Sequence, residues 1–384
     1  MAENSMKPRI RFKGYTDAWE QRKLGDCIEL GCGKDYKHLS EGDIPVYGTG
    51  GYMLSVDKAL SYEKDGIGIG RKGTIDKPYL LKAPFWTVDT LFFAIPKEKT
   101  AIFFLLCLFS KIDWKSKDES TGVPSLSKQT INAVDINVPK TDEQKSIGAF
   151  FQRIDNLITL HQRKYDKIVN IKKALLEKMF PADAETTPKI RFSGFTDAWE
   201  QRKLGDVGSV AMNRRIFKEQ TASSGDVPFY KIGTFGGVAD AFISEQLFEE
   251  YKTKYPYPKM GDILVSASGS IGRFVEYKGE KAYFQDSNII WLEHNDSIEK
   301  IFLKAFYAVV KWAGLEGSTI KRLYNKNILD TEISLPSVKE QRQVGRLFEQ
   351  LDNLITLHQR GLIKIQGDKN GKKRSFRRIV QRLF

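Results

Sequence analysis

Two blocks of this sequence are written twice, in the order A, variable, B, A, variable, B. Block A reads PRIRFKGYTDAWEQRKLGD from Pro8 and returns as PKIRFSGFTDAWEQRKLGD from Pro188. Block B contains IDNLITLHQR (Ile154 to Arg163), which returns as LDNLITLHQR (Leu351 to Arg360). Copies this faithful come from duplication, and they require the chain to fold as two related halves. Between the blocks the halves diverge. Only echoes persist, such as Gly73-Thr74-Ile75 against Gly269-Ser270-Ile271, and the runs ending in Val138-Pro139 and Leu335-Pro336. The pattern predicts one frame used twice, carrying two different surfaces. At about 150 residues per domain, the 384 residues allow each half a real core.

Block B predicts a long helix. Its seam positions Ile147, Phe151, Ile154, Ile158, His161, Tyr165, Ile168, Lys172, Leu175 and Met179 alternate steps of four and three, a heptad pattern. From Asp142 to Met179 such a helix spans roughly 57 Å at 1.5 Å per residue, and Pro181 ends it. The second copy keeps the register through Val344, Phe348, Leu351, Ile355, His358, Leu362 and Ile365. Two matching apolar seams predict an antiparallel coiled coil, the alternative being that each helix packs on its own half. The glycines at 367 and 371 predict that the second helix shortens or breaks after Ile365. A basic tail follows, with Asp368 its one acidic residue.

The variable segments alternate short β-type runs with Gly and Pro, as in DIPVYGTGGY, FWTVDTLFFAIP, GDILVSASGSIGRFVEY and AYFQDSNIIWLE. Each half adds one apolar helical stretch, Ala101 to Ile112 and Ile298 to Trp312. The expected fold class is therefore α/β (α+β): two sheet-rich domains separated by a pair of long antiparallel helices, with a pseudo-twofold internal repeat.

Enzyme motifs fail one by one. Gly68 to Gly73 matches GxGxxG, but β-type residues follow it where a dinucleotide site needs a helix. No GK[ST] element exists for a P-loop, and no Pro-Pro dipeptide for an adenine methyltransferase loop. Glu143-Gln-Lys145 resembles a nuclease ExK element, yet its copy Glu340-Gln-Arg342 loses the lysine, and acids in the first turn of a helix suit its dipole. Cys27, Cys32 and His38 fit no common zinc spacing. Neither catalytic residues nor a metal site are expected.

A binding protein remains. The formal charge of +13 favours a polyanion. Loops in both halves interleave cations, aromatics and hydroxyls. In the first half these are Lys34, Tyr36, Lys37 and His38, then Arg71, Lys72, Gly73 and Thr74, then Ser125 and Lys128. In the second they are Arg214, Arg215 and Lys231, then Ser266, Ser268, Ser270 and Arg273, then Lys321, Arg322, Tyr324 and Lys326. Cations neutralise phosphates or fork onto guanine, and hydroxyls and amides read other base edges. Glycines at 70, 73, 269 and 272 let backbone amides approach a phosphate. The longest apolar run, Ala101 to Phe109, is about half the roughly 20 residues a membrane helix needs. Three scattered cysteines do not suit a secreted disulfide scaffold. A soluble cytoplasmic protein is expected.

The layout, the block FxGYTDAWEQRKLGD and the block EQxxIGxFFxxIDNLITLHQRK resemble the specificity subunit of type I restriction-modification systems over essentially the whole chain. The resemblance implies target-recognition domains at 1–141 and 189–338, a first spacer helix at 142–181, a linker at 182–188, and a second helix with the basic C-terminus at 339–384. Each recognition domain would read one half of a split, asymmetric double-stranded DNA site. The helices would set the spacer and dock two methyltransferase subunits, joined by restriction subunits with translocase and nuclease activity. S-adenosylmethionine, ATP and Mg would then be used by those partners, and this non-catalytic chain would hold no cofactor. The segment Gly367 to Arg378 departs from the charged helical pattern of Ile171 to Met179. Open alternatives are a stand-alone DNA-modifying enzyme and a nucleic-acid-binding scaffold.

Overall fold

A computed structural model describes residues 8, 10–314 and 322–366. The chain divides into two units, one running to Arg163 and resuming at Gln359, the other spanning Lys164–His358.

The first unit contains β1 (Glu20–Lys23), α1 (Leu24–Cys27), β2 (Ile28–Cys32), β3 (Glu41–Gly48), β4 (Gly51–Val56), β5 (Gly66–Gly70), β6 (Tyr79–Leu81), β7 (Trp86–Thr87), β8 (Leu91–Pro96), α2 (Ile102–Lys111), α3 (Lys128–Asn132) and β9 (Asp135–Val138). The long helix α4 (Thr141–Met179) begins here and continues into the second unit. The strands form an antiparallel sheet in the order β2-β8-β5-β6, a smaller sheet β4-β3-β7 with β3 and β7 parallel, and the pair β1-β9.

The second unit contains β10 (Glu200–Lys203), α5 (Leu204–Val207), β11 (Gly208–Ala211), β12 (Val227–Tyr230), β13 (Ala241–Ile243), α6 (Glu245–Lys254), β14 (Ile263–Ser266), β15 (Phe274–Glu276), β16 (Tyr283–Phe284), β17 (Ile289–His294), α7 (Lys300–Tyr307), α8 (Asn325–Leu329), β18 (Glu332–Leu335) and most of α9 (Val338–Gln366). Its sheets run β11-β17-β14-β15, β13-β12-β16 and β10-β18, strand for strand the topology of the first unit, with β12 and β16 again parallel. The halves share a frame even where their sequences have diverged.

The repeated blocks recur together because they touch within each unit. β1 and β10, both EQRK from block A, pair with the strands leading into block B in the same register. Arg11 donates two 2.7 Å hydrogen bonds to the carboxylate of Glu143, at the start of α4, and Arg191 repeats this on Glu340 at 2.7 and 2.8 Å. Each arginine keeps its proton more tightly for the bond to its glutamate. The next residue in block B is a buried glutamine. Gln144 accepts from Ala101 N, the N-cap of α2, and donates to Pro139 O and Lys99 O. Gln341 accepts from Glu299 N, the N-cap of α7, and donates to Pro336 O and Ser297 O. These side chains satisfy helix-end groups that burial would otherwise strand. The ExK pattern at 143–145 is thus a docking element.

Core packing follows the same plan. Trp19, Phe104, Ile147 and Phe151 belong to one buried cluster, and Trp199, Phe302, Val344 and Phe348 to its counterpart. The first turns of each long helix therefore pack on their own unit. Further along, the two helices pack on each other. In the second unit Lys172 pairs with Asp352 at 2.5 Å, and the Phe180 ring, just past the end of α4, lies 6.2 Å from that of Phe348. Later positions around α4 meet earlier ones in α9, so the helices run antiparallel there. In the first unit Gly361 sits against His161. All the seam positions read from the sequence, from Ile147 to Met179 and from Val344 to Ile365, are buried or half-buried.

Residues 182–188, expected as a polar linker, and their neighbours bond to other parts of the second unit. Lys311 pairs with Asp183 at 2.6 Å, Trp199 N donates to Thr186 O, and Ile190 N donates to Lys178 O. The basic tail after Gln366, with Gly367 and Gly371, lies outside the described residues.

Candidate nucleic-acid interface

In each unit three loops converge on one short turn. In the first it is Val88-Asp89-Thr90, between β7 and β8. Strands β2 and β5 flank β8, with Cys32 and Ile69 both opposite Phe92, so the chain leaves β2 and β5 at the same end of the sheet. Gly33 N donates to Leu91 O and Lys34 N to Thr87 O, fixing the loop that carries Lys34, Tyr36 and Lys37. Val88 N donates to Tyr47 O, which brings in the tip of the β3–β4 hairpin. Arg71 N donates to Thr90 O, which brings in the loop Arg71-Lys72-Gly73-Thr74. The segment before α3 closes on that loop: Lys72 bridges to Ser125, and Gly73 N donates to Pro124 O.

The 71–74 loop folds back closely on the end of β5. A Cβ on Gly70 would lie 2.1 Å from Thr74 O. Beside it, Asp118 accepts hydrogen bonds from Ser125 N, Ser120 N and Ser120 Oγ, and these bonds, led by the Ser125 amide, hold its carboxyl below the usual range. Arg71, Lys72, Lys34, Lys37 and Lys128 are exposed, while Tyr36 packs against the small buried cluster of Val46, Val56, Trp86 and Val88. Arg71 also lies 5.9 Å from the Phe92 ring centre.

The turn of the second unit, Gln285-Asp286-Ser287-Asn288, is one residue longer than its counterpart, with Ser287 in the left-handed region at φ 59°. Gln285 N donates to Tyr230 O, and Ile232 N to the Gln285 side chain. Ala267 N donates to Asn288 O, and Ser268 Oγ to the Asn288 carboxamide at 2.6 Å. Arg322 donates to Ser287 O at 2.8 Å. Ser268 bridges to Arg322 as Lys72 does to Ser125. Arg215 pairs with Asp286 at 3.0 Å, and Arg214 lies 5.2 Å from the Tyr255 ring centre. The 231–237 excursion, where Lys231 pairs with Asp240, meets Arg273 through Gly236 O.

The profile of the type I restriction modification DNA specificity domain matches residues 16–170 and 196–366, nearly the whole of both halves. The chain belongs to this family. It is 36% identical over 323 residues to a putative type I restriction enzyme specificity subunit of Haemophilus influenzae, covering 82% of each chain. It is 25% identical over 263 residues to the MjaVIII specificity subunit of Methanocaldococcus jannaschii, covering 63% of this chain and 61% of that one. In fold it resembles the crystal structure of the type I restriction-modification S subunit from M. genitalium, with TM-score 0.69, 15% identity and 99% of each chain covered. This specificity subunit therefore carries two DNA specificity domains, one for each half of the duplication.

The sequence-selected residues of this specificity subunit largely converge. Arg71, Lys72, Gly73, Thr74, Ser125 and Lys128 line one depression with Cys32 and Phe92 or adjoin it, and Ser268, Ser270, Arg273 and Arg322 surround the second turn. Ser266 is a correction: it is buried and its hydroxyl donates to Ser270 O, so it shapes the loop and faces no ligand. Tyr324 and Lys326 are exposed at the start of α8. Lys321 lies outside the described residues. The sequence reading missed the two turns themselves, Asp118, and the exposed hairpin residues Tyr52 and Met53. A polar turn between two apolar runs was the available signal for the first. Among the described residues no helix is long and apolar enough to cross a membrane.

Arg71→Ala and Lys72→Ala are each expected to weaken duplex binding. A base contact costs about 1–3 kcal/mol and relaxes one position, whereas a phosphate contact lowers the salt slope by about one. Competition titrations at several salt concentrations separate the two, and unchanged affinity would remove this loop from the interface.

Proposed function

We propose that each unit reads one half of a bipartite, asymmetric duplex site, and that the long helices set the spacing and dock two methyltransferase subunits. What carries the reading is the convergence, in both units, of cation-bearing loops on one turn at the end of a sheet whose frame is shared and whose loops differ. A common frame with divergent loops suits two half-sites of different sequence, and one chain with two readers needs no palindrome. Off the seam, the helices expose Leu157 and Leu160 in one copy of block B and Leu354 and Leu357 in the other. The same apolar pair offered twice supports two copies of one partner. On this reading, adenine methylation and DNA cleavage belong to partner methyltransferase and restriction subunits. Those subunits use S-adenosylmethionine, ATP and Mg, and the specificity subunit supplies the address in the cytoplasm.

Two experiments test it. Exchanging Cys27–Thr141 for another segment of its kind should change one half-site and leave the other, read by mapping methylated adenines in cells. Two altered half-sites would reject modular reading. For the spacing, seven residues inserted at matched positions in α4 and α9 preserve the heptad register and add about 10 Å at 1.5 Å per residue, roughly three base pairs at 3.4 Å each. The preferred spacer should lengthen accordingly, and an unchanged optimum rejects the ruler.

A further inference from the structure

We propose that Asp286 is a base-selecting residue of the second unit, its carboxylate accepting a hydrogen bond from the exocyclic amine of a cytosine (N4) or an adenine (N6). The inference rests on the reading of these loops as a DNA interface, and it names a chemistry within it. Asp286 stands in the turn on which the loops converge, and that turn is held from several sides. Gln285 is bonded to Tyr230 and Ile232, Ser287 to Arg322, and Asn288 to Ala267 and Ser268. The backbone under the carboxylate is therefore fixed.

Its hydrogen bonding is half finished. Oδ2 accepts from Arg215 Nε at 3.0 Å and from Ser287 Oγ at 3.3 Å, while Oδ1 accepts from no donor among the described residues. The side chain is only 14% exposed. A carboxylate this covered gains from filling both oxygens, and the second oxygen is the one an incoming donor would meet. The paired guanidinium remains 61% exposed, free to face a phosphate or a base.

The electrostatics point the same way. Arg214, Arg215, Arg273 and Arg322 surround a surface that attracts phosphates, and a carboxylate among them weakens that attraction. A group that lowers general affinity is useful where it discriminates, by favouring bases that donate and repelling those that present only acceptors. The first unit lacks the device. There Asp89 is exposed, and Arg71 reaches only its main-chain oxygen, at 3.4 Å. The clamp thus belongs to one reader and not to the shared frame, as a specificity element should.

The test uses the specificity subunit assembled with its methyltransferase partner and a duplex library randomised in both half-sites. Asp286→Asn, nearly isosteric, should lose or switch base preference at one position of one half-site by about five- to a hundred-fold. The other half-site should be unchanged, and affinity for non-specific duplex equal or higher. Asp286→Glu, which keeps the charge but moves it, should disturb the same position, and it decides the matter if the amide variant does not fold. Wild-type preferences at every position in the variants would overturn the proposal. A uniform loss of binding to all sequences would overturn it too, since Asp286 would then only brace Arg215. Failure of the underlying reading looks different: the unmutated complex would show no sequence preference that follows the second unit.

Discussion

Arg191→Ala should destabilise the second unit by about 3–5 kcal/mol, the usual cost of removing one partner from a buried ion pair. The Glu340 side chain is 1% exposed, and Arg191 is its bidentate partner through Nε and Nη2. Without the guanidinium, a carboxylate at the start of α9 would be buried with its main compensation gone. Arg191→Lys should recover little, because a point charge cannot reproduce two parallel N–H donors. Arg11→Ala should act alike on the first unit, where Glu143 is similarly covered. Urea unfolding followed by circular dichroism reads the loss, and the Arg191→Ala, Glu340→Gln double variant should be less unstable than the single effects added together. A cost below about 1 kcal/mol would place the pair with ordinary surface ion pairs and remove the reason offered here for the linked repetition of blocks A and B.

That pairing shows where sequence reasoning reached and where it stopped. The helix seam was legible because its signal is local: a heptad period in one continuous segment already says which side of the helix is covered. The role of Arg11 was not, since its partner lies 132 residues away and nothing in PRIRF names it. The GxGxxG match at Gly68 to Gly73 is set aside on sequence for the β-type residues that follow it, but the sequence does not say that its first half, within Gly66–Gly70, is a fully buried strand. Its glycines face Phe85 and Tyr79, whose rings would stand 3.2–3.3 Å from a Cβ at Gly66 or Gly68. The cation-bearing loops were picked out by composition. Their convergence was not, because it depends on the parallel pairings β3–β7 and β12–β16, which join strands far apart in sequence. Ser266 misled for a related reason: a serine in a Gly-Ser loop looks solvent-facing until the loop's return through Gly272 buries it.

Gly148 provides the second large effect. By intrinsic propensity, alanine in place of a mid-helix glycine stabilises by about 1 kcal/mol. In α4 the sign should reverse. A Cβ at Gly148 would lie 2.8 Å from Phe103 Cβ and 3.0 Å from Phe104 N, atoms close to the rigid path of α2. Main chain cannot step aside as a side-chain tip can, so Gly148→Ala should lose about 1–3 kcal/mol through overpacking, and Gly148→Leu should unfold the first unit. Gly345, its repeat in α9, meets Ile301 at 2.6 Å and should behave alike. Gly361 supplies the control within the first unit. There the three atoms nearest a new Cβ all belong to the His161 ring, at 3.1–3.6 Å, side chain rather than main chain. Gly361→Ala should therefore be neutral or stabilising by up to about 1 kcal/mol. If thermal melts ranked the two alanine variants the other way, close approach of α4 to α2 would not be what keeps glycine in block B, and the docking of each long helix on its own core would need another explanation.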